Sequence, residues 1–364
     1  MAYKPLSAGG YTTCAVTSPG LKCWGLNEWG NVGNGTTVNQ LLAVGVSGLT
    51  EFYGEERVSA VVTGWNHNCA LTTQDRGRGH IPNVYCWGDN SHYALGHPEL
   101  NVNRYKPMPV RISNGNPNFF THITKGRGLA LGNQHTCVLM DTGAVKCWGD
   151  NSQGQLGVGT TTGSGGNFAY PVNTLVLTSR VREIAAGAYY TCARLEDGGV
   201  KCWGANENGQ LGDGTTIRRL TPVAGGVSSD AVALATGSIH ACVLLGSGGV
   251  KCWGANHYGQ LGNGTTTSSG AAVNVSGLDS DAVALATGAI HACVLLGSGA
   301  VKCWGANDSG QLGDGTKTQR LTPVSVFGIS SGAIAISAGA SHACALLSTG
   351  GIKCWGFNQG GILD

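Results

Sequence analysis

Short apolar runs of strand length recur along the chain, separated by glycine, asparagine, aspartate or proline. In the unit from Ala231 to Thr265 these runs are Ala231–Ala235, His240–Leu245 and Val250–Gly254. A fourth run contains proline, as in Thr322–Val326, and proline suits an edge strand because it cannot donate to a ladder. Both faces of the runs are apolar, which is typical of sheets packed between two neighbours. The pattern therefore predicts units of four strands without an amphipathic helix between them.

The unit repeats seven times along the chain. Its most regular mark is Cys-Trp-Gly, which begins at positions 23, 86, 147, 202, 252, 303 and 354. The string from Ala282 to Thr316 is almost identical to the one from Ala231 to Thr265. A period of this length indicates a solenoid, propeller or array, and repeated four-stranded sheets favour an all-β, seven-bladed propeller. We assign the units approximately to residues 1–50, 51–115, 116–175, 176–226, 227–277, 278–328 and 329–364 of one domain.

Composition excludes several classes of protein. The chain has 61 glycines in 364 residues, yet 41% of its residues are hydrophobic, so it is neither disordered nor collagen-like. Charged residues make up 12% and the net charge is +2, which gives no reason to expect nucleic acid or an anionic membrane as a partner. The chain has no apolar run of about 18 residues and no signal-peptide core in its first residues. We therefore expect a soluble chain without membrane insertion.

The 14 cysteines form seven consecutive pairs, and their spacing fits hairpins. With Cys242 opposite Cys252, the opposed Cα atoms lie about 4.5–5.5 Å apart, within disulfide range. We therefore predict one disulfide in the central hairpin of each blade, each worth about 2–3 kcal/mol in the chain-entropy account. The alternative is seven pairs of reduced, buried thiols in a cytosolic propeller, whereas disulfides favour an oxidising compartment. The predicted pairs are Cys14–Cys23, Cys69–Cys86, Cys137–Cys147, Cys192–Cys202, Cys242–Cys252, Cys293–Cys303 and Cys344–Cys354.

These motifs resemble a known repeat. The string A-x-G-x-x-H-x-C/A-L, followed by G-x-V-x-x-W-G-x-N-x-x-G-Q-L-G-x-G, is similar to the regulator-of-chromosome-condensation repeat over nearly the whole chain. The resemblance implies a seven-bladed propeller that binds proteins through loops on one face. Paired cysteines are absent from the familiar eukaryotic members, so they point to a secreted, bacterial-type branch. The tryptophan motif of the family's light sensors is matched once, at Gly64-Trp65-Asn66-His67-Asn68, so light sensing is not expected.

Residues that recur from blade to blade are interpreted as scaffold. Five histidines precede the first cysteine of their unit by two residues, and we expect them to be buried and hydrogen-bonded to a neighbouring turn: His67, His135, His240, His291 and His342. The Cys-Trp-Gly tryptophans are expected to pack between blades, and the asparagine after each Trp-Gly-x to bond its own turn. The cysteine spacing contains no zinc knuckle, so no metal or other cofactor is expected.

No catalytic motif occurs in the sequence, so the chain is not expected to be an enzyme. The acidic residues lie mostly in turns, and no pair of them is placed together by spacing. The alternative is a hydrolase or lyase whose site forms in the central channel from several blades. Such an enzyme would require acidic or histidine side chains that converge on one face of the propeller.

Positions that differ between repeats are the candidates for specific binding. Trp29 and Trp65 are the two tryptophans outside the repeat position, in a loop and a turn respectively. With several tyrosines they are predicted to form an exposed aromatic patch on blades 1, 2, 4 and 5, of the kind that anchors protein interfaces. The alternative is local packing over the rim. The candidate residues are Trp29, Trp65, Tyr11, Tyr189, Tyr190 and Tyr258.

Blade 2 and the segment after it are unusually basic. From Asp75 to Arg127 there are seven basic and three acidic residues, a charge of +4 in a chain of net +2. Arg76 and Arg78 are therefore candidate contacts to an acidic protein patch or an anionic glycan. The alternative is a solvated rim without a partner.

These features together predict a secreted binding module whose partner is a protein, with a cell-surface or matrix glycan as second choice. The alternative is a structural segment of a larger surface or fibre protein, suggested by the near-identical fifth and sixth units. The last unit ends at Asp364 without the proline-containing strand. Ring closure is therefore expected from Met1–Leu6, from residues outside this sequence or from a strand of another chain. The chain is expected to be a monomer or to assemble through this open terminal blade.

Overall fold

The seven predicted units fold into seven antiparallel sheets, or blades, around a central channel. The structure is a computed structural model that describes residues 5–18, 20–49, 57–75, 80–97, 102–113, 120–123, 125–161, 167–177, 180–358, 361 and 363. These residues form strands and turns, with no helix among them. Each blade runs in sequence order from an inner strand, which lines the channel, to an outer one. The prediction of an all-β, seven-bladed propeller is confirmed.

The first three blades have four strands each, and a short hairpin separates the second from the third. Blade 1 comprises β1 (Leu6–Ala8), β2 (Thr12–Val16), β3 (Leu21–Gly25) and β4 (Gln40–Gly45). Blade 2 comprises β5 (Arg57–Thr63), β6 (His67–Asp75), β7 (His80–Gly88) and β8 (Arg104–Pro109). The hairpin comprises β9 (Arg111–Ser113) and β10 (Phe120–His122). Blade 3 comprises β11 (Gly126–Leu131), β12 (His135–Met140), β13 (Val145–Asp150) and β14 (Asn167–Asn173).

The remaining four blades follow the same order, and the last has three strands in the described part of the chain. Blade 4 comprises β15 (Val181–Ala186), β16 (Tyr190–Leu195), β17 (Val200–Gly204) and β18 (Arg219–Ala224). Blade 5 comprises β19 (Ala231–Thr236), β20 (His240–Leu245), β21 (Val250–Gly254) and β22 (Ser269–Asn274). Blade 6 comprises β23 (Ala282–Thr287), β24 (His291–Leu296), β25 (Val301–Gly305) and β26 (Arg320–Ser325). Blade 7 comprises β27 (Ala333–Ala338), β28 (His342–Leu347) and β29 (Ile352–Gly356).

The central hairpin of each blade has the register predicted from the cysteine spacing. In blade 5, Cys242 lies opposite Cys252 and Leu244 lies opposite Val250. All seven predicted disulfides are formed, with the Cα atoms of each pair 4.0 to 4.1 Å apart and no free cysteine. Thirteen of the 14 cysteines are buried, and Cys354 is partly exposed. The disulfides therefore lie within single blades and do not link one blade to another.

The Cys-Trp-Gly tryptophans join neighbouring blades, as predicted. Trp203 is fully buried, and its Nε1 donates to the Gln155 carbonyl oxygen of the preceding blade at 2.8 Å. Burial of a large ring with its N–H satisfied holds two blades at a fixed separation. The equivalent bond, at 2.8 to 3.0 Å, is made by Trp87, Trp148, Trp253, Trp304 and Trp355.

The repeated asparagine organises the loop between the third and fourth strands. In blade 5, Asn256 Oδ1 accepts a bond from the Leu261 N–H at 2.9 Å. Its Nδ2 donates to the carbonyl oxygens of Thr265 and Thr267 at 3.0 and 3.1 Å. The side chain thus bonds backbone groups well beyond its own turn, a wider role than the sequence predicted. Because Asn256 is fully buried, this loop is fixed in one conformation.

The ring closes by direct contact between blades 7 and 1. The Ala340 N–H donates to the Gly9 carbonyl oxygen at 2.9 Å, and the Ala8 N–H donates to Ser337 Oγ at 2.9 Å. On the outside, Gly361 packs against Leu41 of β4, as Gly259 packs against Leu321 between blades 5 and 6. Closure therefore involves Ala8 of β1 and Gly9 after it. The expectation named Met1–Leu6, of which residues 1–4 lie outside the described residues, and it stays a prediction. The outer edge of blade 7 is β29 in the described residues.

Candidate interaction surfaces of the central channel

The innermost strands of the blades line a channel with a cavity volume of about 480 Å³. Each of these strands pairs on one side only, so its other edge presents backbone polar groups towards its neighbours and the channel. Side chains cover part of this edge, since Glu183 Oε2 accepts a bond from the Leu234 N–H at 3.1 Å. The channel wall is therefore polar through its backbone, although small and aliphatic side chains dominate the lining.

Glu183 is the one charged side chain among the described residues that line the channel. Its Oε2 lies 3.1 Å from Arg194 Nε, so its charge is already paired. General acid–base chemistry requires a titrating group free to exchange a proton with the substrate, and glycoside hydrolysis requires a second carboxylate. Among the described lining residues, Glu183 therefore has no second carboxylate beside it.

The two ends of the channel are formed by different loops. In blade 5, Thr236 lies opposite Ala241 where the first strand turns into the second, and this end of the channel is called the turn end. Ala231 lies opposite Leu245, next to the turn between the second and third strands, and this end is called the hairpin end. The blades keep one orientation around the ring, so each end collects the same loop from every blade.

Three half-buried aromatic residues, Tyr11, Trp65 and Phe357, form an aromatic cluster at the turn end. The Tyr11 and Trp65 rings meet edge to face, with centroids 5.8 Å apart and planes at 73°. The Phe357 ring lies 6.0 Å from Tyr11 at 59°. These separations are in the range of favourable aromatic pairs. The cluster joins blades 7, 1 and 2 across the point where the ring closes.

The backbone beneath the cluster requires glycine in blade 1. Gly10 occupies the position that Trp65 holds in blade 2, and its N–H donates to the Gly64 carbonyl oxygen at 2.8 Å. A Cβ atom on Gly10 would lie 2.3 Å from the Trp65 carbonyl oxygen, which no side chain tolerates. The close approach of the two turns therefore brings Tyr11 and Trp65 into contact.

Sequence reasoning missed Phe357, although one signal for it exists. The residue after Trp-Gly is Ala205, Ala255 and Ala306 in blades 4 to 6, whereas Phe357 holds that position in blade 7. Leucine or aspartate holds the position in blades 1 to 3, so Phe357 is the one aromatic residue there and marks a departure from the scaffold. Its contact with Tyr11 depends on ring closure, because the two residues are 346 positions apart in the sequence.

The other aromatic candidates lie apart from this cluster. Tyr189 is exposed at the turn end of blade 4, and Tyr258 is exposed in the outer loop of blade 5. Trp29 is half-buried in the equivalent loop of blade 1. The ring contacts of the cluster are those of Tyr11 with Trp65 and Phe357, and none joins these three residues to it in the described part of the chain.

Tyr190 is fully buried, so its assignment to an exposed patch was wrong. Its hydroxyl donates to the His240 carbonyl oxygen, and the blade interface therefore holds it inside. Burial raises the pKa of Tyr190 well above its usual value. The basic candidates Arg76 and Arg78 lie outside the described residues.

All five repeated histidines are buried, as predicted, and three of them bond a threonine on a strand of the next blade where a turn was expected. His67 Nε2 lies 2.8 Å from Thr136 Oγ1, and His135 Nε2 lies 2.9 Å from Thr191 Oγ1. The Thr136 hydroxyl donates to the Ala94 carbonyl oxygen at 2.8 Å, so it accepts from His67 and assigns the proton to Nε2. The bonds of His67, His135 and His342 therefore tie their blades to the next one, whereas His240 and His291 have no such partner among the described residues.

Burial dominates the protonation of this histidine layer. It lowers the pKa of His67 and His291 to about 4, and that of His135, His240 and His342 to about 3. The physical cause is loss of solvation of the imidazolium form. The side chains are therefore neutral at pH 7 and have a structural part in the fold.

The described residues contain no group of three or more histidine, cysteine or acidic side chains positioned to hold a metal ion. None of the described segments is a helix long and apolar enough to cross a membrane.

Comparison with known proteins gives consistent matches for the fold. The profile of the RCC1-like domain matches residues 79–364, and that of the regulator of chromosome condensation (RCC1) repeat matches residues 58–94. The ultraviolet-B receptor UVR8 of Arabidopsis thaliana is 29% identical over 359 residues, which cover 98% of this chain and 65% of the receptor. The chain thus spans just under two thirds of that relative's length.

Solved structures agree with this assignment at the level of the fold. Human WBSCR16 superposes with a TM-score of 0.77 at 21% identity, covering 95% of this chain and 87% of that protein. Prp20p of Saccharomyces cerevisiae, studied for its binding to Gsp1p and histones, superposes with a TM-score of 0.72 at 20% identity, covering 92% and 80%.

Proposed function

The chain belongs to the RCC1-like domain family, and on this basis we propose that it is a secreted, non-catalytic module that binds a protein partner at the turn end of its channel. The aromatic cluster carries the proposal. Tyr11, Trp65 and Phe357 are half-buried, so each ring keeps accessible surface while its neighbours hold it in place. Rigid aromatic side chains of this kind anchor protein interfaces, because little conformational entropy is lost when they are covered.

The family and the channel lining support a binding role. Propellers of this family commonly act in binding or regulation, and Prp20p binds Gsp1p and histones. The described lining contains one carboxylate, which is paired with Arg194, and this supports the non-catalytic reading. A surface glycan is the second choice of partner, since aromatic faces also stack on sugar rings.

The disulfides support a location outside the cytosol. Seven formed disulfides and no free thiol suit an oxidising compartment, because cytosolic reductants keep thiols reduced. The matches reported above are plant, human and yeast proteins, and a bacterial origin of this chain stays a prediction. Fractionation of the producing cells tests the location. Detection in the extracellular fraction with all cysteines oxidised is expected, and a cytosolic protein with reduced cysteines contradicts it.

Photo-crosslinking tests the proposed binding face. The wild-type chain, the double variant W65A/F357A and the control F327A are incubated with the extracellular fraction of the producing organism. Phe327 is 87% exposed on the outer side of blade 6, so F327A removes an equally apolar ring far from the channel. A protein crosslinked by the wild type and F327A, and lost in W65A/F357A, is the expected result. Equal crosslinking by all three chains, or none by any, contradicts the proposal.

A structural segment of a larger assembly is the second candidate function. It is supported by the near-identical fifth and sixth units, Ala231–Thr265 and Ala282–Thr316, and by the 39% exposure of Ile352 in β29, the outermost described strand of blade 7. An unpaired edge can pair with a strand from another chain. Light scattering over a range of concentrations separates the candidates, because edge-to-edge assembly raises the mean mass with concentration, whereas a binding module stays monomeric.

A further inference from the structure

The hairpin end of the channel carries a second set of variable residues. The inner strands of blades 2 to 7 each contain a register shift near their start, so one residue stands outside the pairing. Such a bulge re-aims the side chain of the extra residue. These six positions form a ring around the hairpin end, which we call the bulge ring: Ser59, Arg127, Arg182, Val232, Val283 and Ile334.

Half of the bulge ring is apolar and exposed. Val232, Val283 and Ile334 follow one another in blades 5, 6 and 7, and they are 50%, 56% and 57% exposed. Side chains of this size are normally buried, and adjacent exposed ones indicate an interaction surface. The strand does not require an apolar residue at the bulge position, because Ser59 holds that position in blade 2.

The adjoining part of the ring is cationic. Arg127 and Arg182 occupy the bulge positions of blades 3 and 4, and the guanidinium of Arg180 lies beside them. Glu196 pairs with Arg182, and Asp141 is the acidic neighbour of Arg127. With Lys125 and Asp197, which are also exposed at this end, four basic groups of blades 3 and 4 lie near three carboxylates. The positive excess is therefore local to these two blades.

Arg127 is held in place with part of its donor capacity unused. Its Nη2 donates to the Val181 carbonyl oxygen of the next blade, whereas its buried Nε has no partner among the described residues. Burial and the charges of Arg180 and Arg182 lower the pKa of Arg127 from its usual value. The positions of these arginines therefore favour an anionic group close to blades 3 and 4.

We propose that the hairpin end is a docking site for a protein segment in which acidic residues adjoin large apolar ones. The carboxylates of the segment pair with Arg127 and Arg182, and its apolar side chains cover Val232, Val283 and Ile334. This surface lies at the opposite end of the channel from the aromatic cluster, so it is a second binding site beyond the proposed function.

Acidic residues beside the apolar part of the bulge ring determine the direction in which the partner segment binds. Asp230 and Asp281 precede Val232 and Val283 by two residues and are exposed. Carboxylates of the partner are repelled there, so its acidic part lies over blades 3 and 4 and its apolar part over blades 5 to 7.

A peptide suits this site better than an anionic lipid. The channel behind the ring is walled by the free edges of the inner strands, whose N–H and C=O groups require hydrogen-bonding partners. An alkyl chain drawn into the channel would leave such groups unpaired, whereas a peptide backbone satisfies them. The exposed residues also lie at the mouth and not in a closed apolar pocket.

Selection from a phage library of random peptides tests the proposal. Wild-type protein is the bait, and the variant R182Q/V283S/I334S is used for counter-selection. We expect enrichment of peptides with acidic residues beside aromatic or aliphatic ones. An enriched peptide, labelled with fluorescein, should then bind the wild type and lose affinity by about tenfold or more for R182Q and for V283S/I334S.

Matched control variants distinguish binding at this site from non-specific binding to exposed apolar or basic side chains. Ile217 and Arg218 are exposed on the outer side of blade 4, so I217S and R218Q remove the same chemistry away from the channel. Both variants should bind the peptide with the affinity of the wild type. The variant W65A/F357A should do so too, because its substitutions lie at the other end of the channel, and its result separates this proposal from the proposed function. Thermal unfolding of every variant verifies the fold.

Three outcomes overturn the proposal. One is the absence of enrichment over the counter-selected variant, and another is equal loss of binding in I217S or R218Q. The third is saturable binding of oleate that R182Q abolishes, with no peptide binding, which would assign the surface to an anionic lipid.

Discussion

The Nε2 atom of His342 in the last blade lies 2.9 Å from the Thr13 Oγ1 atom in the first blade. The same contact joins blade 2 to blade 3 through His67 and Thr136, and blade 3 to blade 4 through His135 and Thr191. Ring closure therefore reuses an ordinary blade-to-blade contact, across 329 residues of sequence. Because both partners are buried, the contact has a measurable effect on stability.

Replacement of Thr13 by valine should destabilise the propeller by about 1 to 3 kcal/mol, since it leaves the buried His342 Nε2 without its partner. Valine keeps the shape of threonine, so packing changes little. Urea unfolding followed by tryptophan fluorescence measures the effect. The control T17V removes a hydroxyl whose bond is local, to the Gly20 carbonyl oxygen, and should cost less. Equal effects of the two substitutions would contradict this account of closure.

At two other junctions between blades, the histidine has no threonine partner on the next blade. Introducing a threonine there should stabilise the protein. His240 and His291 have no partner on Nε2 among the described residues, and alanine stands where other blades have threonine, at Ala292 and Ala343. A292T provides the missing hydroxyl and should raise the free energy of unfolding by about 0.5 to 1.5 kcal/mol.

The matched control for this substitution is A292V, which adds the same volume without a hydroxyl. A292V should leave the free energy of unfolding unchanged or lower it, because the added side chain fills space without forming a hydrogen bond. If A292V stabilises as much as A292T, the effect comes from packing and not from the histidine.

The histidine layer predicts a loss of stability in acid. The pKa values of the five buried histidines in the folded chain are about 3 or 4, below the unfolded value of about 6.5. The unfolded chain therefore binds more protons below pH 6.5, and the free energy of unfolding falls as pH falls. The expected slope is about 1.4 kcal/mol per pH unit for each histidine, down to about pH 4.

Urea unfolding at a series of pH values between 7.5 and 4.5 measures this slope. The variant H291Q removes one titrating group and should reduce the slope of the free energy of unfolding against pH by one proton. Its effect on the free energy of unfolding should therefore be smaller above pH 7 than in acid. A free energy of unfolding that stays constant from pH 7 to pH 4.5 would show that the histidines are not buried in the neutral form.

The disulfide of blade 7 should be the first to be reduced. Cys354 is partly exposed, whereas the other 13 cysteines are buried and closed to a reductant in solution. Brief treatment with a mild reductant, followed by alkylation and mass spectrometry, identifies the first thiols. Labelling of Cys344 and Cys354 ahead of the rest is expected, and earlier labelling of Cys242 and Cys252 would contradict it.

Local pattern was sufficient to predict the blades. Cys-Trp-Gly, the short apolar runs and the cysteine spacing together predicted seven sheets, the hairpin register and the disulfides, because each of these features is decided within about fifty residues of chain. The burial of the tryptophans and histidines followed from the same repetition. Contacts across blades were harder to predict. The histidines were expected to bond a turn, and their threonine partners lie on a strand of the next blade.

For the candidate surfaces too, the sequence predicted individual residues better than it predicted contacts between blades. Sequence comparison of the repeats identified Tyr11 and Trp65 as departures from the scaffold, but it also placed Tyr190 on the surface, where the structure buries it. Tyr190 begins β16 at the position that the repeated histidines hold in other blades, whereas Tyr189 lies in the turn before it. The repeat position was therefore a signal that Tyr190 is buried. Phe357 was missed, because its contact with Tyr11 exists only once the ring is closed.

The amino-acid sequence by itself thus determined the fold class, the number of blades and the cysteine pairs, since these depend on periodicity and on hydrogen bonding between adjacent segments. The tertiary structure alone decided which variable residues share a surface. The aromatic cluster unites residues from blades 7, 1 and 2, and the bulge ring unites one residue from each of six blades. The physical reason is closure: residues about fifty positions apart become neighbours when the sheets pack around one axis.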